Sequence, residues 1–135
     1  MATLTVPNRV EFVRPATLFL VNAARALDVP VAEEPVFEVA ISEAVTNAVR
    51  HGGKRGPDST ITCQLMLESR SLTVRIINDG EPFGLPVTGL PEFSREQLDA
   101  VPSSGYGLPI IRTVFSNVRV VEVQGRFGVE MALDY

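Results

Sequence analysis

Glu43, Asn47, Arg50 and His51 are spaced by three and four residues within the stretch Glu38 to His51. At about 100° per residue a helix projects all four the same way, so an acid, an amide, a guanidinium and an imidazole come within reach of one ligand. Phe37, Ile41, Ala44, Val45 and Ala48 fall on the adjacent side in the i, i+4, i+7 pattern of a helix lying on a core. Asn47 offers a side-chain oxygen of the kind Mg²⁺ accepts when phosphate and water complete its octahedron. Arg50 or Lys54 is placed to pair with that phosphate. Amphipathic helices also carry Glu, Asn and Arg toward solvent for no chemical reason, so this face needs support from elsewhere.

Two further segments supply it. Asn78-Asp79-Gly80-Glu81-Pro82 follows a β-rich run, and Ser103-Ser104-Gly105-Tyr106-Gly107-Leu108 precedes a helical one. Asn-Asp-Gly after a strand is ordinarily a turn. Glycines at a helix N-terminus let backbone amides approach an anion, and the helix dipole favours negative charge there, so Gly105 and Gly107 suit a phosphate. Each segment alone is a weak signal.

The elements that must position these groups are readable in order. Leu4 and Val6 alternate with Thr3 and Thr5, which predicts a first strand over Ala2 to Pro7. A helix is expected to begin around Pro15, with Leu18, Val21 and Leu27 as its apolar stripe, and to end at Asp28 to Pro30. The central helix is expected from about Ala32 to His51, closed by Gly52-Gly53. Ile61 to Leu67 and Leu72 to Ile77 predict a hairpin turning at Glu68 to Ser71. From Asn78 to Ser104 the density of Gly and Pro predicts a long functional loop. Leu108, Ile111, Val114 and Phe115 repeat at helical spacing, and Val118 to Val123 with Val129 to Leu133 predict a last hairpin around Gly125 and Gly128. The pattern is that of an α+β two-layer sandwich, a mostly antiparallel sheet with helices on one face, in a single domain spanning 1–135.

Composition narrows the partners. The chain has 135 residues, 45% hydrophobic and 21% charged, as in an ordinary globular protein. Its net charge of −4 and pI near 5.0 argue against direct nucleic-acid binding, which neutralises phosphates with basic residues. No run of about 18 apolar residues offers a membrane span, and the N-terminus shows no secretory pattern, so a cytoplasmic location is expected. Cys63, the one cysteine, excludes an internal disulfide and a multi-cysteine metal site.

Taken together, the three segments resemble the motifs of the GHKL ATPases, the superfamily of gyrase, the heat-shock chaperone ATPases, histidine kinases and MutL. Their N-box is similar to Glu43-Ala-Val-Thr-Asn47-Ala-Val-Arg50-His51, their first glycine box to Asn78-Asp79-Gly80, and their second to Gly105-Tyr106-Gly107-Leu108, in the same order. Within the superfamily the phrase Ala40-Ile-Ser-Glu-Ala-Val-Thr-Asn-Ala-Val-Arg-His and the chain length resemble the small bacterial anti-sigma factor serine kinases. The resemblance implies ATP and Mg²⁺ between the central helix and the sheet, under an ATP lid from about Gly84 to Ser104. Asn47 is then the Mg²⁺ ligand, Glu43 the general base, and Arg50, His51, Asn78, Asp79, Gly80, Gly105, Tyr106, Gly107 and Leu108 contact the nucleotide. It also implies a sigma factor or similar regulator as one partner and an anti-anti-sigma protein of the STAS type, whose serine is phosphorylated, as the other; a homodimer stays open.

The chain departs from the family at Asn78, where the adenine-reading position is normally Asp, at Pro82, where the second glycine of the box belongs, and at Val129, where relatives often have Thr. An Asn amide that rotates freely can serve adenine or guanine, so looser base selectivity is expected. Asn78 and Pro82 favour somewhat the alternative of an interaction module that binds nucleotide and has lost phosphoryl transfer. A detached histidine-kinase catalytic domain ranks third.

Overall fold

The computed structural model describes residues 1–53, 55–80 and 107–135, without the side chain of Leu108. Five strands, β1 (Ala2–Pro7), β2 (Thr60–Glu68), β3 (Ser71–Asn78), β4 (Asn117–Val123) and β5 (Arg126–Asp134), form one sheet in the order β1-β2-β3-β5-β4. Every pairing is antiparallel. The helices are α1 (Val13–Ala26), α2 (Pro35–His51) and α3 (Gly107–Val114). None of the described helices is long and apolar enough to cross a membrane.

Alternation gives the sheet one dry face. Ile61, Cys63 and Leu65 of β2, Leu72, Val74 and Ile76 of β3, and Val129, Met131 and Leu133 of β5 point into a single apolar cluster. The helices cover it: α2 packs on β3 and also touches α1 and α3, so it is the middle helix of the layer. All five apolar residues expected on its inner face are buried. Phe37 meets Phe115 just beyond α3 with ring centroids 6.0 Å apart. Burial pushes the Cys63 thiol up to about 12, so it remains a neutral apolar filler.

The outer face carries a polar ladder. Glu130 stands opposite Arg75 on one side and Arg119 on the other, and accepts from both at 2.6 and 2.8 Å. Burial alone raises the Glu130 carboxyl, but the hydrogen bonds and charges of the two arginines outweigh it and hold the group below its ordinary value.

Several boundaries differ from the sequence expectation. A 3-10 turn, Val10–Phe12, leads into α1 at Val13, two residues ahead of Pro15, which lies in the first turn as expected. The buried stripe of α1 is Ala16, Leu20, Val21 and Ala24; Leu27, expected in it, lies past the helix end and is 45% exposed. The central helix starts at Pro35, not near Ala32, because a residue preceding proline is driven out of the helical region. Glu34 is accordingly extended, and Pro30–Glu33 forms a separate 3-10 turn. The other end of α2 closes at Gly52-Gly53 as expected, with Gly53 as the left-handed residue. Gly128 lies inside β5 and not in the hairpin turn, which is Gln124-Gly125.

Candidate nucleotide site at the end of the central helix

Pro35 at the first helical position and Gly52-Gly53 beyond the last fix the limits of α2, and its apolar face fixes its rotation on the sheet. Glu43 and Asn47 therefore stand one turn apart and half-buried, and Arg50 and His51 follow, exposed, in the last turn. Asn47 makes no side-chain hydrogen bond among the described residues, so its oxygen is open to a ligand. Glu43 lines a cleft of about 210 Å³ between α1 and α2, with Val13, Arg14, Thr17, Glu38, Val39 and Ser42. Sequence reasoning had no part for this cleft, because it depends on where α1 lies against α2.

The last turn of α2 is seated on the end of β3. Asn78 is fully buried; its Oδ1 accepts from Gly80 N at 2.8 Å and its Nδ2 donates to Ala48 O at 3.2 Å. Gly52 N donates to the same carbonyl at 2.9 Å. A second amide does similar work from the loop after β1, where Asn8 Nδ2 donates to Val49 O at 3.1 Å. Asp79 Oδ1 accepts from Gly53 N at 3.2 Å. Asp79 Oδ2 and Asn8 Oδ1 are buried without a hydrogen-bond partner among the described residues. Gly80 packs directly against His51 O, and Gly52 lies against both Asn8 and Asn78.

These contacts correct one expectation. The Asn78 amide does not rotate freely, since turning it over would set N–H against N–H and oxygen against carbonyl oxygen at two backbone partners. Asn8 was absent from the sequence-derived site. As an asparagine after a strand it signals only a turn, and nothing local announces a partner 41 residues away.

The structure thus brings the N-box end of α2 and the Asn78 to Gly80 turn into contact. Gly107 and Leu108 open α3, which packs against α2. Gly105, Tyr106, Lys54, Glu81, Pro82 and the expected lid from Gly84 to Ser104 lie outside the described residues.

A profile of the histidine kinase-like ATPase domain matches residues 6–133, nearly the whole chain and every element of this site. The chain belongs to the histidine kinase-like ATPase domain family. Membership implies ATP as its ligand. The catalytic domain of the histidine kinase ThkA shares the fold in two nucleotide-free forms, with TM-scores of 0.56 and 0.53 at 14% and 12% identity. Each comparison covers 99% of this chain, and 96% and 97% of the ThkA chains. Among curated proteins, this ATPase domain is similar to the serine-protein kinase RsbW of Listeria monocytogenes, 28% identical over 91% of the chain and 80% of the relative. It is 26% identical to RsbW of Bacillus subtilis, over 96% and 81% respectively. The domain is therefore distantly related to serine-protein kinases.

Proposed function

We propose that this protein is an ATP-dependent serine-protein kinase of the RsbW type, acting in the cytoplasm. It binds a sigma factor or similar regulator and phosphorylates a serine of an anti-anti-sigma partner. The observation that supports this reading best is the pairing on α2 of Glu43, in the wall of an open cleft, with Asn47, whose side chain has no protein partner among the described residues. An all-oxygen site with one protein amide and the rest from phosphate and water suits Mg²⁺, so the residues present fit the ion. When bound, Mg²⁺·ATP supplies the phosphoryl group, with its charge partly neutralised.

The chain's own residues do the rest. Asn47 would hold the metal, and Arg50, one turn further along and exposed, would pair with phosphate oxygens. By their likeness to the second glycine box, Gly105, Tyr106, Gly107 and Leu108 are the residues whose backbone amides would take the phosphates. Glu43, one turn before Asn47, would take the proton from the partner's serine hydroxyl as that oxygen bonds to the γ-phosphorus of ATP and the bond to the β,γ-bridging oxygen breaks, releasing ADP. A serine presented in the cleft between α1 and α2 reaches this carboxylate directly. A second reading, nucleotide binding without transfer, rests on the sequence departures at Asn78 and Pro82 from the family's first glycine box.

The test is phosphotransfer from labelled ATP to a candidate partner by wild type and Glu43→Gln. The expected outcome is serine phosphorylation that falls by about 10² to 10⁴ in the variant while ATP affinity stays near wild type. Absence of transfer by wild type with every partner that binds it would favour the second reading. Loss of ATP binding in the variant would make Glu43 structural.

A further inference from the structure

We propose that Asn78 is a positioning residue: with Asn8 it pins the last turn of α2 to the ends of β3 and β1, and it does not select the base. The functional half of this inference rests on the nucleotide site proposed above; the clasp itself does not.

The four carbonyls that end a helix lack intrahelical partners. Here Ala48 O receives Gly52 N and Asn78 Nδ2, and Val49 O receives Asn8 Nδ2. Both amides come from strand ends, so they fix the helix end relative to the sheet rather than merely closing the helix. Asn78 Oδ1 in turn holds Gly80 N, and Gly80 lies against His51 O. The turn after β3 and the turn that carries Arg50 and His51 are thereby a single unit, with Asn47 immediately before Ala48. A residue with no exposed surface and both polar atoms on backbone has its orientation set by the fold.

Asparagine suits this position chemically, because the clasp needs a donor toward Ala48 O and an acceptor toward Gly80 N from one side chain. An ionised aspartate has no donor. It would face Ala48 O and the negative end of α2 from a buried place, which raises its pKa. Protonated, it regains a donor. Among the described residues Asp79 adjoins it in the chain and His51 ends α2 with its carbonyl against Gly80, and wild type carries both. The ratio of variant to wild type at each pH therefore isolates residue 78.

The experiment is calorimetric titration of wild type, Asn78→Asp and Asn8→Ala with ATP and with GTP, Mg²⁺ present, from about pH 5 to 8, alongside thermal unfolding. At pH 8 Asn78→Asp should bind ATP about tenfold more weakly than wild type, the effect of one buried hydrogen-bond partner lost. At pH 5 the gap should close to within about twofold, and the ATP-to-GTP preference should match wild type throughout. Asn8→Ala should also weaken ATP several-fold, although Asn8 is no part of the proposed nucleotide site.

A rise in ATP preference with affinity retained at pH 8 would show that residue 78 reads the base. Equal ATP affinity in all three proteins would show that the clasp positions nothing. If Asn78→Asp folds only at acid pH, the clasp is supported; if it folds at no pH, Asn8→Ala decides. Should wild type bind neither nucleotide, the proposed site fails, while the pH-dependent loss of thermal stability in Asn78→Asp still tests the clasp.

Discussion

Gly80 is the residue at which the constraint on this site is sharpest. A β-carbon there runs into His51 O and lies 3.1 Å from Gly52 Cα, and both neighbours are backbone that cannot swing aside. Gly56 is the natural comparison, for its β-carbon would meet nothing within 4 Å among the described residues and only its φ of +62° resists substitution. Gly80→Ala must separate the β3 turn from the end of α2, at a cost expected near that of overpacking a core, about 1 to 3 kcal/mol, with nucleotide binding weakened as well. Gly56→Ala should cost about 1 kcal/mol, for left-handed backbone alone, and leave nucleotide affinity unchanged. Urea unfolding and ATP titration of the two variants check this; equal ATP affinities would mean that Gly80 serves only the fold. The glycine itself was legible as part of Asn-Asp-Gly. Its reason was not, because a turn motif says nothing about a helix end arriving from 29 positions earlier in the chain.

Secondary elements were legible in proportion to how locally their cause is written. The inner face of α2 and the alternation of β2 and β3 follow from periodicity, and the structure buries those residues as expected. The start of α2 was misjudged because periodicity runs on through Ala32, whereas the break comes from the steric effect of Pro35 on Glu34. The tight turns were legible as hairpins, but not their strain: Ser69, Arg70 and Gln124 all adopt positive φ without being glycine. Cross-strand partners were not legible at all, since register joins distant residues. The ladder of Arg75, Glu130 and Arg119 on β3, β5 and β4 is such a case, and it makes a prediction about pH. The Glu130 carboxyl is held below its unfolded value, so the proton binds the unfolded chain more readily. Its contribution is present above the unfolded pKa of about 4.3 and is lost as pH falls through the lowered folded value. Glu130→Gln should be less stable than wild type at pH 7 and should lose less stability between pH 5 and pH 3. Parallel acid-unfolding curves for the two proteins would show that the ladder contributes nothing.

At the scale of the whole molecule, the helix layer is built around α2, and α2 carries both the core stripe and the candidate chemistry. Fold and site are therefore not separable by removing an element, only by choosing a residue on its ligand side. Asn47 is that residue: it is half-buried, it makes no side-chain hydrogen bond among the described residues, and its neighbours Val45 and Ala48 hold the helix without it. A ligand that binds only the folded state stabilises it by RT ln(1 + [L]/Kd), about 2.7 kcal/mol at one hundred times Kd. Wild type should accordingly unfold at higher temperature in Mg²⁺·ATP than in buffer, and chelating the metal with EDTA should remove most of that shift. Asn47→Ala should unfold near the wild-type temperature in buffer, because it deletes no apolar packing and no hydrogen bond to described residues. In Mg²⁺·ATP its shift should be much smaller, and similar with and without EDTA, since what remains is nucleotide held without the metal contact. If the variant keeps the full Mg²⁺-dependent shift, another group holds the ion and the assignment of Asn47 fails. If it is strongly destabilised in buffer, the amide belongs to the fold, and the resemblance of this helix to an N-box is one of packing rather than of ligand binding.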